Sequence, residues 1–344
     1  MNKKAGLYFH IPFCKNKCPY CDFYSVKYTK NEAEKYCNDI IAELQKYSGE
    51  FDTVYFGGGT PSIVEPRLIG EILSAAREHF SIYKNSEITI ECNPSKDLSE
   101  AFRQYADFGI NRVSIGMQSA VDSERFALGR SAGKAQVQKA VFDAKAAGIE
   151  NISLDLMLGT PKQTLSSLDE TFDFIDKMRV KHISAYMLKI EEGTKFFEMK
   201  ERLNLPDEDE TAQMYLKTVE VLGQLGFKQY EISNFAKEGY ESRHNLKYWE
   251  LVPYLGIGKT AHSFWGGERF YYDRDMNLVP DGKGGDKSEK IMLGLRLNKG
   301  VDVSIIDKPY GHFIKMGLMN LSENRLSLTP EGMLVSNAVI NELI

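Results

Sequence analysis

The sequence predicts an α/β protein whose main part is a partial (β/α)6 barrel, followed by an α+β extension. Short runs rich in apolar and β-branched residues begin six strand–helix units between residues 5 and 190. Polar residues stand where several of these runs end, although an apolar strand has no structural need for them. Repeated units of this kind give parallel strands joined by right-handed crossovers, and six units favour an incomplete barrel over a doubly wound sheet.

Strands and helices alternate regularly through the first half of the chain. Glycines such as Gly109 and Gly148 mark the ends of helical segments. The predicted strands cover residues 5–10, 52–56, 87–92, 111–116, 151–158 and 182–188, and the predicted helices cover residues 31–47, 65–80, 97–108, 134–147 and 164–178. A helix therefore separates each predicted strand from the next, as a parallel crossover requires.

The second half of the chain is less regular. Residues 189–206 are predicted to be a linker with a short helix, and residues 207–225 a helix that begins with acidic residues at the positive end of its dipole. The glycine-rich stretch 281–286 indicates a flexible boundary. The tail shows a helix, a hairpin near 321–328 and a last helix, which favours a small winged-helix-like subdomain. We therefore predict domains at 1–190, 191–285 and 286–344.

Composition limits the class of protein. The 344 residues are enough for one large domain or two smaller ones with real cores, and the formal net charge is −5. A negative charge argues against broad nucleic-acid binding, which favours a basic face. No apolar run is long enough for a membrane span, and the N-terminus has no signal-peptide pattern. A cytoplasmic location is expected.

Three cysteines with C-x3-C-x2-C spacing follow the first predicted strand. Cys14, Cys18 and Cys21 lie within eight residues, so their thiolates can converge on one metal centre. An iron–sulfur cluster and a zinc ion are the two candidates, and zinc is the weaker one because no second C-x2-C pair supplies a closed set of four ligands. Cys37 and Cys92 are predicted to be small buried residues.

Polar groups close the next predicted strands as well. A glycine-rich turn follows the second strand, Glu91 closes the third, Gln118 follows the fourth, and Asp155 lies in the fifth. In a β/α barrel the active site gathers at the carboxyl ends of several strands. Together with the cysteine loop, these positions predict one shared site. Each group also has a simple structural explanation, such as a tight turn for the glycines or a salt bridge for Glu91.

The cysteine motif, with Tyr20 directly before its last cysteine, resembles the motif of the radical S-adenosylmethionine (SAM) superfamily. The longer stretch from Tyr8 to Phe23 resembles one branch, which contains the anaerobic coproporphyrinogen III oxidases and the HemW haem chaperones. The resemblance implies a 4Fe-4S cluster held by Cys14, Cys18 and Cys21. It also implies SAM as a second cofactor, bound to the iron that the cysteines leave free.

The resemblance assigns further residues to SAM. The turn of Gly58, Gly59 and Thr60 would touch the methionine part, with a carbonyl and the loop amides holding the amino-acid group, and Glu91 would accept hydrogen bonds from the ribose hydroxyls. The other matched positions are Gln118 and Arg130, which would contact SAM, Asp155, which touches a second SAM in the oxidases, and Tyr8 and Tyr20, which flank the cofactor. As aromatics near a core, Tyr8 and Tyr20 fit packing roles equally well.

Three features favour the chaperone branch. The oxidases carry a further cysteine two residues after the third, where this chain has Phe23, and a longer N-terminal arm. The segment His244-Asn245-Leu246-Lys247-Tyr248-Trp249 resembles the H-N-x-x-Y-W motif of the HemW chaperones. An imidazole such as that of His244 can ligate iron, and Tyr248 and Trp249 can stack on a flat macrocycle. These three residues are therefore candidates for haem binding.

The resemblance implies a protein that binds haem as cargo and delivers it to acceptor proteins, including membrane-associated respiratory ones, with an electron donor reducing its cluster. No catalytic residue is assigned. The alternative is an oxygen-independent coproporphyrinogen III oxidase, in which electron transfer to SAM gives a 5′-deoxyadenosyl radical that starts propionate decarboxylation. The sequence leaves open whether SAM is cleaved, which acceptor is used, whether haem is held covalently and whether the chain forms a homodimer.

Overall fold

The computed structural model describes residues 4–94 and 97–344. Its strands are β1 (Ala5–Ile11), β2 (Phe13–Cys14), β3 (Val26–Lys27), β4 (Glu50–Gly58), β5 (Ser81–Cys92), β6 (Arg112–Gln118), β7 (Asn151–Leu158), β8 (His182–Met187), β9 (Lys228–Glu231), β10 (Asn234–Ala236), β11 (Tyr254–Ile257), β12 (His262–Trp265), β13 (Glu268–Tyr272), β14 (Leu278–Lys283), β15 (Val301–Asp302), β16 (Met319–Ser322) and β17 (Arg325–Leu328). The helices are α1 (Lys30–Glu43), α2 (Pro66–His79), α3 (Ser99–Asp107), α4 (Asp122–Ala127), α5 (Lys134–Ala146), α6 (Leu165–Met178), α7 (Lys195–Glu198), α8 (Glu208–Gln224), α9 (Arg243–Trp249), α10 (Lys287–Gly294), α11 (Gly311–Lys315), α12 (Pro330–Leu334) and α13 (Ser336–Leu343).

Six parallel strands form the centre of one large open sheet. Neighbouring strands run in the order β1-β4-β5-β6-β7-β8, and each pair is parallel. Helices α1, α2, α3, α5 and α6 connect them, as a parallel sheet requires. The strands are buried over most of their length, which is typical of parallel sheets covered on both faces. The predicted α/β fold is confirmed, with the six parallel strands and connecting helices expected of a partial (β/α)6 barrel.

The helix boundaries follow local chemistry. The Thr29 side chain accepts the Glu32 N–H at the start of α1, and Thr164 accepts the Ser167 N–H at the start of α6. At the start of α8, the Asp207 side chain accepts the Glu210 N–H while the Glu210 side chain accepts the Asp207 N–H. These reciprocal bonds satisfy donors that a helix leaves unpaired in its first turn.

Additional strands widen the sheet at both edges, and the sequence did not indicate most of them. β11 lies parallel to β1, and β12, β13 and β14 continue outward as antiparallel strands. β10 and β9 extend the other edge, beside β8. Residues 281–283, which we expected in a flexible boundary, belong to β14. The expectation was wrong because glycine is compatible with an exposed antiparallel strand near the sheet edge.

The tail forms a second small sheet of order β15-β17-β16, packed with α10 to α13. The predicted hairpin is present as β16 and β17, whose turn places Glu323 and Asn324 at positive φ. Its apolar residues, including Leu326, belong to the same continuous core as the large sheet. The domain boundaries and the winged-helix-like shape stay predictions. None of the helices formed by the described residues is long and apolar enough to cross a membrane.

Candidate cofactor chamber and the helix at its inner end

A chamber of about 540 Å³ opens on the concave side of the parallel strands, and we refer to it as the chamber. Its wall takes every second residue of the strands, for example 112, 114, 116 and 118 of β6, because successive side chains of a strand point to opposite faces. Eleven predicted site residues line it: Cys14, Cys18, Cys21, Tyr20, Gly58, Gly59, Thr60, Glu91, Gln118, Arg130 and Asp155. Strand ends distant in sequence therefore form one site.

The cysteine loop lies at the mouth of the chamber. It leaves the sheet after β1 and is fixed by the short parallel pair of β2 and β3. The thiols of Cys14, Cys18 and Cys21 are free and partly buried. The Cys14 Sγ lies 3.5 Å from the Thr60 Oγ1, and the Cys21 N–H donates to the Cys18 carbonyl at 3.1 Å. Burial raises the pKa of the Cys21 thiol.

The glycine turn after β4 packs directly against the cysteine loop. Gly58 has φ of 110°, and a Cβ there would lie 2.5 Å from the His10 ring. A Cβ at Gly59 would lie 2.8 Å from the Phe13 carbonyl oxygen. Only glycine tolerates both this conformation and this approach. The turn therefore holds the cysteine loop in place.

The amides of this turn are already used within the protein. Gly58 N–H donates to Glu91 at 3.1 Å, Gly59 N–H to the Ile11 carbonyl at 2.9 Å, and Thr60 N–H to the Phe13 carbonyl at 2.8 Å. The expectation that these amides hold an amino-acid group does not fit this arrangement, because each has an intramolecular acceptor. The carbonyl groups of the glycine turn and the Thr60 side chain remain as the groups of this turn that can contact a ligand.

Two carboxylates lie along the chamber wall. Glu91 accepts hydrogen bonds from the Tyr55 hydroxyl at 2.9 Å and the Gly58 N–H, and Asp155 accepts from the Ser114 hydroxyl at 2.9 Å. Burial, reinforced by the neighbouring charge of Asp155, raises the pKa of Glu91 to about 7. Burial also raises the pKa of Asp155 to about 6. The two groups can thus change charge near neutral pH.

Arg130 and Gln118 complete the wall near the cysteines. The Arg130 guanidinium donates to the Tyr20 hydroxyl through Nε at 3.1 Å and Nη2 at 2.6 Å. Tyr20 thereby links the cysteine loop to the segment after α4. Gln118 adopts φ of 67°, a left-handed conformation that is uncommon for a residue with a side chain. Such strain is often found at ligand sites.

The chamber is not lined by four of the predicted site residues, namely Tyr8, His244, Tyr248 and Trp249. Tyr8 lies beneath the glycine turn, where its hydroxyl is 3.0 Å from the His10 Nδ1. His244 is fully buried, with its Nδ1 2.8 Å from the Thr53 hydroxyl and its Nε2 2.8 Å from the Tyr248 hydroxyl. Burial lowers the pKa of His244 to about 3. Two predictions therefore stand for this ring: ligation of iron, which in this conformation requires the loss of one of these hydrogen bonds, and a purely structural role, which keeps both.

Helix α9, which carries His244, is anchored at the amino ends of the parallel strands. Its first two N–H groups donate to the Glu87 carboxylate, at 3.2 Å from Arg243 and 3.1 Å from His244. Lys247 binds Asp52 at 2.6 Å. β1 passes beneath the helix at Gly6, where a Cβ would lie 3.0 Å from the His244 ring. α9 thus occupies the end of the chamber opposite the cysteines, which we call the inner end.

Trp249, at the end of α9, faces a different space. It lines a second cavity of about 270 Å³, between α9 and the tail. The Arg296 guanidinium lies 4.1 Å from the centre of its ring. The motif residues His244, Tyr248 and Trp249 are therefore not gathered around one open pocket.

Arg112 and Asn245 are among the chamber residues that the sequence analysis did not assign to the site. Arg112 begins β6 at a position where an apolar residue is expected, and this polar exception was the available signal. Asn245 lies inside the segment 244–249, in which the sequence analysis chose only the histidine, the tyrosine and the tryptophan as candidates.

Comparisons with known proteins place the chain in a family. Residues 8–175 match the model of the radical SAM superfamily. The "Heme chaperone HemW" of Lactococcus lactis is 32% identical over 372 aligned residues, covering 100% of this chain and 98% of that protein. The protein of the same name from Bacillus subtilis is 32% identical over 98% of both chains. This chain belongs to the HemW family of the radical SAM superfamily.

The fold of this HemW family member agrees with that of a solved radical SAM enzyme. Coproporphyrinogen III oxidase (HemN) from Escherichia coli superposes with a TM-score of 0.83 at 19% identity, covering 99% of this chain and 90% of that one. At this identity the likeness concerns the fold alone. It confirms the predicted radical SAM architecture of the α/β sheet.

Radical SAM membership brings a 4Fe-4S cluster and SAM as cofactors, and the chamber of this HemW family member fits them. Three free thiols share one wall of the chamber with a glycine turn that leaves space beside Thr60. Carboxylate acceptors suited to hydroxyl groups and to a sulfonium charge stand further in. The assignment of individual residues to each cofactor stays a prediction.

Proposed function

We propose that this protein is a haem chaperone, which binds haem beside a 4Fe-4S cluster and SAM and delivers the haem to acceptor proteins. The observation that carries the proposal is the end-to-end match, at 32% identity, to proteins named as HemW haem chaperones. A match that covers the tail as well as the radical SAM part favours a shared function of the whole chain over a shared cofactor domain alone.

The mouth of the chamber supports this proposal. Phe23 lines the chamber and leaves 63% of its surface exposed, in the place where the resemblance expects a cysteine in the oxidases. Tyr186, on the facing strand β8, is 41% exposed and also lines the chamber. Exposed aromatic rings suit the flat apolar face of a macrocycle.

Several residues of the chamber are placed to hold the cluster and SAM. We assign Cys14, Cys18 and Cys21 to the cluster, which when bound supplies a low-potential electron. Glu91 is held by Tyr55 so that its carboxylate can accept ribose hydroxyls. The Arg130 guanidinium fixes the Tyr20 ring beside the cysteine loop. Together these residues position the cofactors.

The partners follow from the same proposal. The cargo is haem, the receivers are haem-acceptor proteins, including membrane-associated respiratory ones, and a separate protein reduces the cluster. The protein meets these acceptors from the cytoplasm. The formation of a homodimer stays a prediction.

The proposal is tested by haem transfer. The cluster-reconstituted protein is loaded with hemin without oxygen, separated from free hemin and mixed with an apo-form of a haem-binding acceptor. We expect the Soret band to shift to that of the acceptor faster than it does with hemin bound to albumin as a control carrier. In parallel, coproporphyrinogen III is incubated with the protein, SAM and a reductant. Absent hemin loading together with turnover of the porphyrinogen would replace the chaperone by the oxidase.

A further inference from the structure

The guanidinium of Arg112 lies at the inner part of the chamber and has no hydrogen-bond partner among the residues that the structure describes. The side chain is only 1% exposed, yet it lines the chamber. The Arg112 side chain forms no hydrogen bond or salt bridge with residues 4–94 and 97–344, and its buried Nε lacks an acceptor there. Leaving a buried charge without a hydrogen-bonded partner destabilises the folded protein, which favours a functional role for the group.

The nearby carboxylates do not neutralise this charge by direct contact. Glu91 and Asp155 both feel the Arg112 charge, which lowers the pKa of each against the larger effect of burial. Their hydrogen bonds, however, go to Tyr55 and Gly58 for Glu91 and to Ser114 for Asp155. The guanidinium N–H groups of Arg112 are therefore available to a ligand that enters the chamber.

Arg125 is a second buried arginine, and it serves as a structural comparison for Arg112. Arg125 is 0% exposed, donates through Nε to the Ala132 carbonyl at 2.7 Å and through Nη1 to the Ser119 carbonyl at 3.2 Å, and does not line the chamber. Its bonds join α4 to the loops on either side. The Arg125 guanidinium thus has two acceptors, although its Nη2 has none among the described residues, whereas the Arg112 guanidinium has no acceptor among them for any of its nitrogens.

The position of Arg112 separates it from the cysteines. It begins β6, six residues before Gln118, and Asn245 of α9 lines the chamber at the same inner end. Arg130, by contrast, lies beside Tyr20 of the cysteine loop. An anion bound at Arg112 is therefore distinct from a carboxylate bound beside the cluster.

We propose that Arg112 binds a carboxylate group of a ligand that reaches the inner end of the chamber, and that this carboxylate is a propionate of haem. The inference rests on the proposed function, because it takes haem as the cargo. A guanidinium matches a carboxylate with two parallel hydrogen bonds, and burial strengthens the pair. Asn245 lies at the same end and offers an amide to the ligand.

The test compares hemin with hemin dimethyl ester, which keeps the macrocycle but lacks free carboxylates. Both are titrated without oxygen into the cluster-reconstituted wild type, Arg112→Met and Arg112→Lys. We expect Arg112→Met to bind hemin at least about tenfold more weakly and the ester as well as the wild type does, while Arg112→Lys recovers part of the hemin affinity. Equal hemin affinity in the wild type and Arg112→Met would overturn the inference and leave the proposed function intact. Absent saturable hemin binding to the wild type would instead overturn the proposed function.

SAM is a second source of a carboxylate, so its affinity is measured on the same variants. We expect SAM binding to be unchanged in Arg112→Met. A loss of SAM affinity with hemin affinity retained would assign the carboxylate to SAM and overturn the assignment to haem.

The thermal stability of the ligand-free variants distinguishes a binding role of Arg112 from a structural role. Replacing an unpaired buried cation by an apolar side chain of similar length is often neutral or stabilising. We expect Arg112→Met to keep or raise the midpoint of thermal unfolding of the ligand-free protein, and Arg125→Met to lower it. A lower midpoint for Arg112→Met, equal to that of Arg125→Met, would indicate a structural arginine and contradict the proposal.

Discussion

The chamber wall and the inner-end helix α9 both carry buried polar side chains, but these side chains differ in whether they face open space. In α9, both ring nitrogens of His244 are bonded, to Thr53 and Tyr248. On the wall, Glu91 and Asp155 face open space while their pKa values stay raised by burial. The type of residue alone therefore does not identify a ligand-binding group. Exposure to the chamber, together with remaining capacity for hydrogen bonds, is the better indicator.

The same contrast appears between two buried histidines and the chamber arginine. His182 bridges Ser153 and Tyr230, at 2.8 Å on each side, just as His244 bridges two hydroxyls. Such satisfied groups contribute to stability, whereas an unsatisfied group such as Arg112 lowers stability in exchange for binding. The comparison therefore predicts which substitutions affect cofactor binding and which affect folding.

The largest effect is expected at the cysteine loop. Cys14→Ala, Cys18→Ala and Cys21→Ala should each abolish retention of a complete 4Fe-4S cluster, because every one removes a thiolate ligand. Iron content and absorbance after anaerobic reconstitution measure this. Cys37→Ala is the matched control, since Cys37 is buried against the core and does not line the chamber. Full iron retention in all three loop variants would contradict the cluster assignment.

The next effect concerns α9. His244→Ala should lower the free energy of unfolding by about 2–4 kcal/mol, because it leaves Thr53 and Tyr248 without their buried partner. Thermal or urea unfolding measures the change. His262→Ala is the control, because His262 is exposed on β12 and should change stability by less than about 0.5 kcal/mol. Equal stability of both variants would remove the structural role of His244.

A pH effect is expected on the chamber wall. An acid whose pKa is raised by folding, such as Glu91, stabilises the folded protein at low pH, and this contribution is lost as the pH rises through about 7. The ionised carboxylate is also the better acceptor for the ribose hydroxyls of SAM, which we assign to Glu91. We therefore expect ligand-free stability to fall between about pH 4.5 and pH 7, and SAM binding to tighten as the carboxyl ionises near pH 7.

Glu91→Gln tests this assignment because it keeps the shape and removes the charge. Calorimetric titration of SAM at several pH values should show weaker binding and a flatter pH dependence in this variant than in the wild type. An unchanged pH profile would show that Glu91 is not the titrating group at the chamber.

The smallest effect is expected at the chamber mouth. Phe23→Ala should leave stability within about 0.5 kcal/mol of the wild type, because the ring is 63% exposed. Hemin affinity should fall by about threefold to tenfold, the usual value of one aromatic contact. Phe142→Ala is the control, since Phe142 is 50% exposed and does not line the chamber. Equal hemin affinity in both variants would place the macrocycle elsewhere.

The sequence predicted the parallel strands and their helices well because each carries a local periodicity and a local stop, such as Gly109 with φ of 86°. It predicted the chamber because strand ends in a parallel sheet meet at one edge. It missed β11 to β14, whose pairing depends on partners distant in the chain. It also could not show that His244 is satisfied by Thr53, a residue 191 positions away.

The most direct test of this account is an anaerobic hemin titration of the cluster-reconstituted wild type beside His244→Ala, at a temperature where both are folded. The Soret band is followed after subtraction of the cluster absorbance. We expect saturable binding to the wild type, and binding of similar affinity to a less stable His244→Ala variant. Binding that disappears in a folded His244→Ala variant would overturn the structural role of His244 and assign the haem iron to its ring.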